Sequence, residues 1–389
     1  MRKLRIGIFS ECYHPVLNGV VVSIDTFKTE LEKRGHEFFI FTTKCPGYYE
    51  SNPRITRYAC MLPFSPKGGR YPVAWPQLAM FQAKKIDCLN LDIIHSQHLL
   101  GVGELGIKVG RILNLPTVLT YHTLLAEYTH YVPLIGGLVR RYLIRQSRVI
   151  SNLCDQVVTP SPSMKKVLRS YGVTTPIQPI PTGVDVKSFQ NGYTYGELHQ
   201  KWQISKNQKI LLYVSRIAKE KNIDFLLDSI KVLAIKRHDF HLLMVGGGPE
   251  LKYYENKIKH DGLNKVVTFT DMQPKKEVNR YYSAADIFVF PSVTETQGIV
   301  VTEAMAAGIP AVAVNKMGPS DIISDSVDGF LTSLKVGQFS ARIEQLLDDD
   351  EKRLRMGKEA KENAQKFSLG VTGDQMEKLY EKLRNHHRS

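Results

Sequence analysis

No apolar run in the chain approaches the roughly 20 residues that cross a bilayer as a helix, so no spanning segment is expected. Cysteine is scarce: Cys12, Cys45, Cys60, Cys88 and Cys154 are odd in number and lack the paired spacing of metal ligands. That excludes a disulfide framework and a structural zinc, and it fits a reducing compartment. No metal-ligand cluster is visible anywhere, so no metal or cofactor is required. No G-x-G-x-x-G follows the first apolar segment, which excludes the dinucleotide fingerprint. Helix-turn-helix and RNA-binding aromatic motifs are also missing, so a nucleic-acid partner is not expected. The start, MRKLRIGIFSECYHP, has too short an apolar part and no small-residue cleavage site, so it reads as a first strand and not as a signal peptide.

What the chain does have is length and positive charge. Its 389 residues exceed one ordinary core, so two domains are expected. The formal net charge is +14. Residues 1–200 carry 23 Lys and Arg against 13 Asp and Glu, while residues 201–389 carry 29 against 25. The basic first half suits an anionic partner: a membrane surface, a nucleic acid or a phosphorylated ligand.

Short apolar runs alternate with helical patterns. Strands are predicted at 4–10, 37–43, 91–97, 117–122 and 155–161, and a second series begins near residue 209 with KILLYVSR, FHLLMVGGG, VVTFTD, DIFVFPS and PAVAVN. Near-continuous apolar strands between helices signal parallel sheets covered on both faces. The predicted fold is therefore α/β: two Rossmann-like, doubly wound parallel-sheet domains facing across a cleft. The boundaries read as 1–200 and 201–370, with the polar stretch 188–209 as linker. A terminal helix at 371–389 is free to pack back on the first domain.

Ligands of open parallel sheets bind beyond the carboxyl ends of the strands, so the residues there are the candidates. Asn18 and Gly19 precede a helix after the first strand; glycine admits close approach and a helix start favours phosphate, although an ordinary cap looks the same. His122 ends the strand TVLTYH, where a ligand contact and a structural role are both open. Arg216 and Lys221 lie on the loop after KILLYVS and can neutralise a diphosphate, or form a solvated basic loop. The glycines of MVGGGPE keep side chains out of the way and have no catalytic role.

The most informative stretch is PSVTETQGIVVTEAMAAGIP (291–310). Glu295, Thr296 and Gln297 precede Gly298, and Ile299, Val300 and Glu303 follow it on a helix closed by Gly308 and Pro310. Carboxylates accept paired hydrogen bonds from vicinal hydroxyls, and the helix start offers free amides to an anion. A diphosphate between two hydroxyl-rich rings describes a nucleotide sugar.

With SRIAKEKN, IPTGVD and YYSAADIFVFPS, this E-x7-E run resembles retaining glycosyltransferase family 4, whose fold is called GT-B. The resemblance covers nearly the whole chain. It implies that Glu303 binds the nucleotide ribose, that Arg216 and Lys221 hold the diphosphate, and that Glu295 contacts the transferred sugar. Gln297, Gly298, Ile299 and Val300 complete the donor loop, Gly19 meets the phosphate from the first domain, and His122 lies beside the sugar. His122, Arg216, Lys221 and Glu295 form the implied catalytic set. The chain departs from the family at Asn18, Ser215 and Gly247.

For the acceptor, the segment 120–161 carries the signal. On a helix, Arg140, Arg141, Arg145 and Arg148 fall within an arc of about 140°. Val139, Leu143 and Ile150 take the other side, behind the apolar tip VPLIGG. Such a pattern suits an interfacial membrane helix, and equally a surface helix with a solvated arginine face. The segment YHTLLAEYTHYVP also resembles family members that glycosylate diacylglycerol. With Tyr128, Tyr131, Leu134 and Ile135 it implies an acceptor surface. The expectation is hexose transfer, glucose first, from a UDP-sugar to diacylglycerol by an enzyme held at the cytoplasmic face of the membrane. Phosphatidylinositol, a soluble sugar or a polysaccharide remain alternative acceptors. A nucleotide-sugar epimerase and a non-enzymatic binder of anionic surfaces are remoter readings.

Overall fold

The computed structural model describes residues 3–62, 73–74, 77–124, 126, 136–189 and 192–388. The chain divides into two compact units: residues 1–183 with 369–389, and residues 184–368.

In the first unit the elements run β1 (Arg5–Phe9), α1 (Gly19–Glu32), β2 (Glu37–Thr43), β3 (Ile55–Tyr58), β4 (Cys60–Leu62), β5 (Val73–Ala74), α2 (Ala79–Asp87) and β6 (Ile93–Ser96). They continue with α3 (Val102–Ile112), β7 (Thr117–Thr120), α4 (Gly136–Ser151), β8 (Gln156–Thr159), α5 (Pro162–Ser170) and β9 (Ile177–Pro179). Seven strands form one parallel sheet in the order β3-β2-β1-β6-β7-β8-β9. The second unit holds α6 (Tyr195–Trp202), β10 (Lys209–Val214), α7 (Ile223–Lys236), β11 (Phe240–Val245), α8 (Leu251–His260), β12 (Val267–Phe269), α9 (Lys275–Tyr282) and β13 (Ile287–Phe290). Then come α10 (Ile299–Ala307), β14 (Ala311–Val314), α11 (Met317–Ile322), β15 (Gly329–Thr332), α12 (Val336–Asp348) and α13 (Asp350–Ala364). Its six-stranded parallel sheet has the order β12-β11-β10-β13-β14-β15. α14 (Leu369–Arg388) closes the chain and belongs to the first unit.

Both sheets are doubly wound, as the two series of apolar runs require. Central strands such as Ile287–Phe290 and Ala311–Val314 are buried throughout, because helices cover both faces. β3, β9 and β15 go beyond the predicted strands. Each lies at a sheet edge, where one side needs no partner and the apolar run shortens; β9 even ends in Pro179.

The unit boundary falls at Gly183/Val184 and not near residue 200, and the expected linker is structured. A capping box of Thr194 and Glu197 starts α6, satisfying two orphan amide donors. Phe189, Leu198 and Ile204, spaced through an otherwise polar stretch, enter the core of the second unit. Trp202 lies against Tyr281, with 6.4 Å between ring centroids.

α14 packs on the first unit through Met376, Leu379 and Tyr380, which join Leu4, Ile6, Ile24 and Leu31. Arg34 bonds Asp374 at 2.5 Å and Glu377 at 2.7 Å. His36 Nδ1 accepts the Leu4 amide at 3.1 Å, so its Nε2–H donates to Glu377 at 2.9 Å. Burial alone would raise the Glu377 carboxyl, but His36 and Arg34 outweigh it and hold the group below its ordinary value. Its stabilising contribution is therefore complete above about pH 4.3 and is lost as pH falls through the depressed native value. Glu377→Ala leaves the buried His36 Nε2–H without its acceptor and takes one of three carboxylates from Arg34, a loss of about 3 kcal/mol. A drop of roughly 10 °C in the unfolding midpoint of this unit is expected at pH 7. A variant as stable as the parent by calorimetry would remove this clamp as the anchor of α14.

Candidate active site

In the second unit the strand order reverses between β10 and β13. Ligands bind beside such a reversal, at the carboxyl ends. The loops leaving there are residues 215–222 after β10 and 291–298 after β13. They are clipped together by side chains: Asn222 Nδ2 donates to the Pro291 carbonyl at 3.0 Å, and Thr294 Oγ1 to the Glu220 carbonyl at 3.3 Å. Asn222 sits at φ 56°, a left-handed geometry that asparagine tolerates, and this reverses the chain between the 3-10 turn Lys219–Lys221 and α7.

The clip brings the cations to the carboxylate. Lys221 Nζ pairs with Glu295 Oε1, both side chains being largely buried. Arg216 reaches Glu220 at 2.5 Å but keeps its side chain 68 % exposed, within reach of a ligand. Beneath them residues 215–217 run against 246–248. A Cβ on Gly246 would lie 2.0 Å from the Ser215 carbonyl oxygen, and one on Gly248 would lie 2.2 Å from that of Ile217. Gly246 and Gly248 therefore shape the loop by omission, as expected, while a Cβ on Gly247 would meet Asp271 Oδ1 at 2.6 Å.

At the other loop, Gly298 takes φ 83° and gives α10 no side-chain cap. The amides of Val301 and Thr302 turn back to the Gly298 carbonyl, so Ile299 and Val300 supply the leading donors of an anion-binding helix start. Gln297 is buried on this loop. Gly318 braces it: its amide donates to the Glu295 carbonyl at 2.9 Å, and a Cβ there would lie 2.1 Å from the Gln297 carbonyl oxygen. Glu303, in the second turn of α10, is buried and accepts a hydrogen bond from the Tyr282 hydroxyl at 2.9 Å. Lys275 Nζ lies 3.6 Å from its other oxygen. Burial raises the Glu303 carboxyl, opposed by Lys275 and Tyr282.

Arg216, Lys221, Glu295, Gln297, Gly298, Ile299, Val300 and Glu303 thus all lie on the two loops and the helix at this reversal. Sequence reasoning missed Asn222, Thr294, Gly318, Tyr282 and Lys275. Only the Gly-Pro pair at 318–319 carried a readable signal, that of a turn.

In the first unit the reversal lies between β1 and β6. Asn18 caps α1, accepting the amides of Val20 and Val21 at 3.0 Å each, and its own amide reaches Cys12 Sγ at 3.1 Å. Those helix-start amides are therefore occupied, unlike those of α10. Gly19 keeps an open approach, with no atom within 4 Å of where a Cβ would stand. His122 Nε2 lies 2.7 Å from Gln97 Oε1, which fixes this nitrogen as the donor. Burial pushes its imidazole down to about 3, with His98 and His95 adding to the effect. A neutral ring of such low basicity is a poor general base at pH 7 and serves better as a hydrogen-bonding group.

α4 buries Ser147, Ile150 and Ser151, with Ser147 tied to the Tyr121 hydroxyl at 2.8 Å. Arg140, Arg141, Arg145 and Arg148 are all exposed, and beside their arc stand Leu138, Tyr142 and Val149, exposed by 68, 52 and 41 %. Tyr128, Tyr131, Leu134 and Ile135 lie outside the described residues. α2 has a similar face: Leu78, Met80 and Phe81 are exposed beside Lys84 and Lys85.

Residues 17–188 match the model of Glycosyltransferase Family 4, and residues 195–363 that of Glycosyl transferases group 1. The chain is 35% identical over 338 residues to an alpha-monoglucosyldiacylglycerol synthase of Streptococcus pneumoniae, covering 84% of this chain and 75% of that protein. It is 28% identical to a GDP-mannose-dependent alpha-mannosyltransferase of Corynebacterium glutamicum, over 90% of this chain and 82% of the other. Among solved structures, Anabaena HepE in complex with UDP superposes with a TM-score of 0.78 at 16% identity, covering 97% of this chain and 100% of that one, a likeness of fold.

Proposed function

This chain belongs to glycosyltransferase family 4 and is a nucleotide-sugar-dependent hexosyltransferase of GT-B fold; from that premise we propose that it transfers glucose from UDP-glucose to diacylglycerol in an anionic membrane. The observation that carries the lipid half of this reading is the face of α4, where an arc of four exposed arginines is bordered by a stripe of exposed Leu138, Tyr142 and Val149. Cations attract anionic headgroups and the apolar side chains enter the interface below them. The parallel face of α2 supports it. Among the described residues no helix is long and apolar enough to cross a membrane, so attachment at the inner face is peripheral in this reading. The streptococcal relative, named an alpha-monoglucosyldiacylglycerol synthase, supports both glucose and diacylglycerol.

In the proposed donor site, Arg216, Lys221 and the amides of Ile299 and Val300 hold the diphosphate. Glu303 accepts the ribose hydroxyls, and Glu295 orients the hexose. The acceptor hydroxyl attacks the anomeric carbon from the face that UDP leaves. The bond to the diphosphate breaks, the new glycosidic bond forms, and the acceptor proton passes to the departing phosphate oxygen. The protein's share is positioning and stabilisation of the leaving charge.

The test offers purified protein radiolabelled UDP-glucose with anionic vesicles containing diacylglycerol. Label is expected in the organic phase, lost in Glu295→Gln. Free glucose and UDP without lipid label would overturn the acceptor. No turnover with UDP-glucose but turnover with GDP-mannose would overturn the donor.

A further inference from the structure

Glu303 is buried on α10, and both titratable groups that face it come from a single helix, α9. The hydroxyl of Tyr282, at the last turn of α9, donates to Oε2 at 2.9 Å. Lys275, at the first turn of α9, brings its ammonium to 3.6 Å from Oε1. These two are the titratable groups that face the carboxylate. Tyr282 is fully enclosed, its ring packed edge-on against Phe189 at 5.5 Å and tilted against Phe288 at 5.8 Å between centroids. A tyrosine wedged this way cannot swing to another acceptor, so its hydroxyl has one orientation.

We propose that Tyr282 is a positioning residue for nucleotide recognition, holding one oxygen of Glu303 so that the carboxylate presents its other oxygen to the ribose diol, with Lys275 as its counter-cation. This deepens the donor assignment above and rests on it.

The chemistry follows from what a diol needs. Two vicinal hydroxyls donate to a carboxylate, and the ionised group accepts from both about twice as strongly as the neutral acid. Burial opposes ionisation of Glu303, while Tyr282 and Lys275 favour it. Burial also raises the Tyr282 phenol well above its ordinary value, so it remains a donor at every working pH. A phenylalanine at 282 keeps the ring contacts and removes only the donor. The carboxyl then rises further. Since ribose binding is present above the carboxyl's pKa and lost as pH falls through it, the acid limb must move to higher pH.

The experiment titrates UDP and 2′,3′-dideoxy-UDP into the wild-type protein, Tyr282→Phe and Lys275→Met between pH 5 and 8. Tyr282→Phe is expected to weaken UDP roughly tenfold at pH 6, as loss of a hydrogen bond to a charged group does, and less at pH 8. It should leave dideoxy-UDP unchanged, and Lys275→Met should move the acid limb in the same direction. Equal weakening of both nucleotides would make Tyr282 a packing residue and overturn the proposal. So would unaltered UDP binding in a variant whose parent prefers UDP over the dideoxy form. If the wild-type protein binds both nucleotides alike, the ribose assignment of Glu303 fails first and the role of Tyr282 falls with it. Because dideoxy-UDP reports a folded site, misfolding of Tyr282→Phe is distinguishable from either result.

Discussion

Lys221→Ala is expected to lower kcat for sugar transfer by roughly a hundred- to a thousandfold, the usual cost of removing one preorganised donor to a developing negative charge. The argument rests on the pair it forms with Glu295, in which both side chains are shielded from water, 14 and 21 % exposed. An ammonium held there is aimed and partly desolvated before the diphosphate arrives, so it strengthens as charge builds on the leaving group. The same pair sets a second expectation. Alanine at 221 leaves Glu295 unbalanced beside the diphosphate, so UDP affinity falls by more than the lost contact alone. Adding Glu295→Gln to Lys221→Ala should return part of that affinity without returning turnover. Glu295→Gln alone should bind UDP at least as tightly as the wild type, because nothing then competes for Lys221, yet transfer slowly. Titration calorimetry and single-turnover assays on the four proteins form a double-mutant cycle. Additive UDP affinities in that cycle would show that the pair has no bearing on the donor, and undiminished turnover in Lys221→Ala would end its proposed role.

The features legible in the sequence were those with a local physical cause. Ten strands were readable because burial on both faces demands an unbroken apolar run, as in Ile287–Phe290. Edge strands such as β9 carry no such demand. The segment 188–209 reads as a linker because its composition is polar, yet Phe189, Leu198 and Ile204 anchor it in the core of the second unit. Composition over a window hides anchors that are few and far apart. The loop carboxylate and cations were legible because strand ends are where open sheets bind ligands. Their braces were not. Gly318 matters only because the start of α11 meets the backbone of Gln297, and Tyr282 only because α9 lies beside α10. Those contacts join residues 21 positions apart in each case, and no periodicity encodes them. Asn18 teaches the converse. It stands in a motif that suggested a phosphate-binding helix start, and its side chain takes the very amides that such a site would offer.

Reversing Arg140, Arg141, Arg145 and Arg148 to glutamate should release the protein from anionic vesicles. Each cation near such a surface contributes about 1 kcal/mol, and the reversal replaces four attractions by four repulsions. Partitioning should therefore fall by at least about a thousandfold at low salt. All four side chains are exposed, and the buried contacts of the helix, through Ser147, Ile150 and Ser151, are left in place, so the fold should survive. Two controls separate charge from general damage. Vesicles of neutral lipid should bind the wild-type protein weakly and discriminate little between the two proteins. UDP affinity should be unchanged, since the donor loops belong to the other unit. A companion variant, Leu138→Ser with Tyr142→Ser and Val149→Ser, keeps the charge and removes the apolar contribution. It should still be drawn to anionic vesicles, but its binding should become steeply salt-dependent because only the screened interaction remains. Continued sedimentation of the arginine-reversed protein with anionic vesicles would mean that α4 is a solvated surface helix. The face formed by Phe81, Lys84 and Lys85 on α2 would then be the next to reverse.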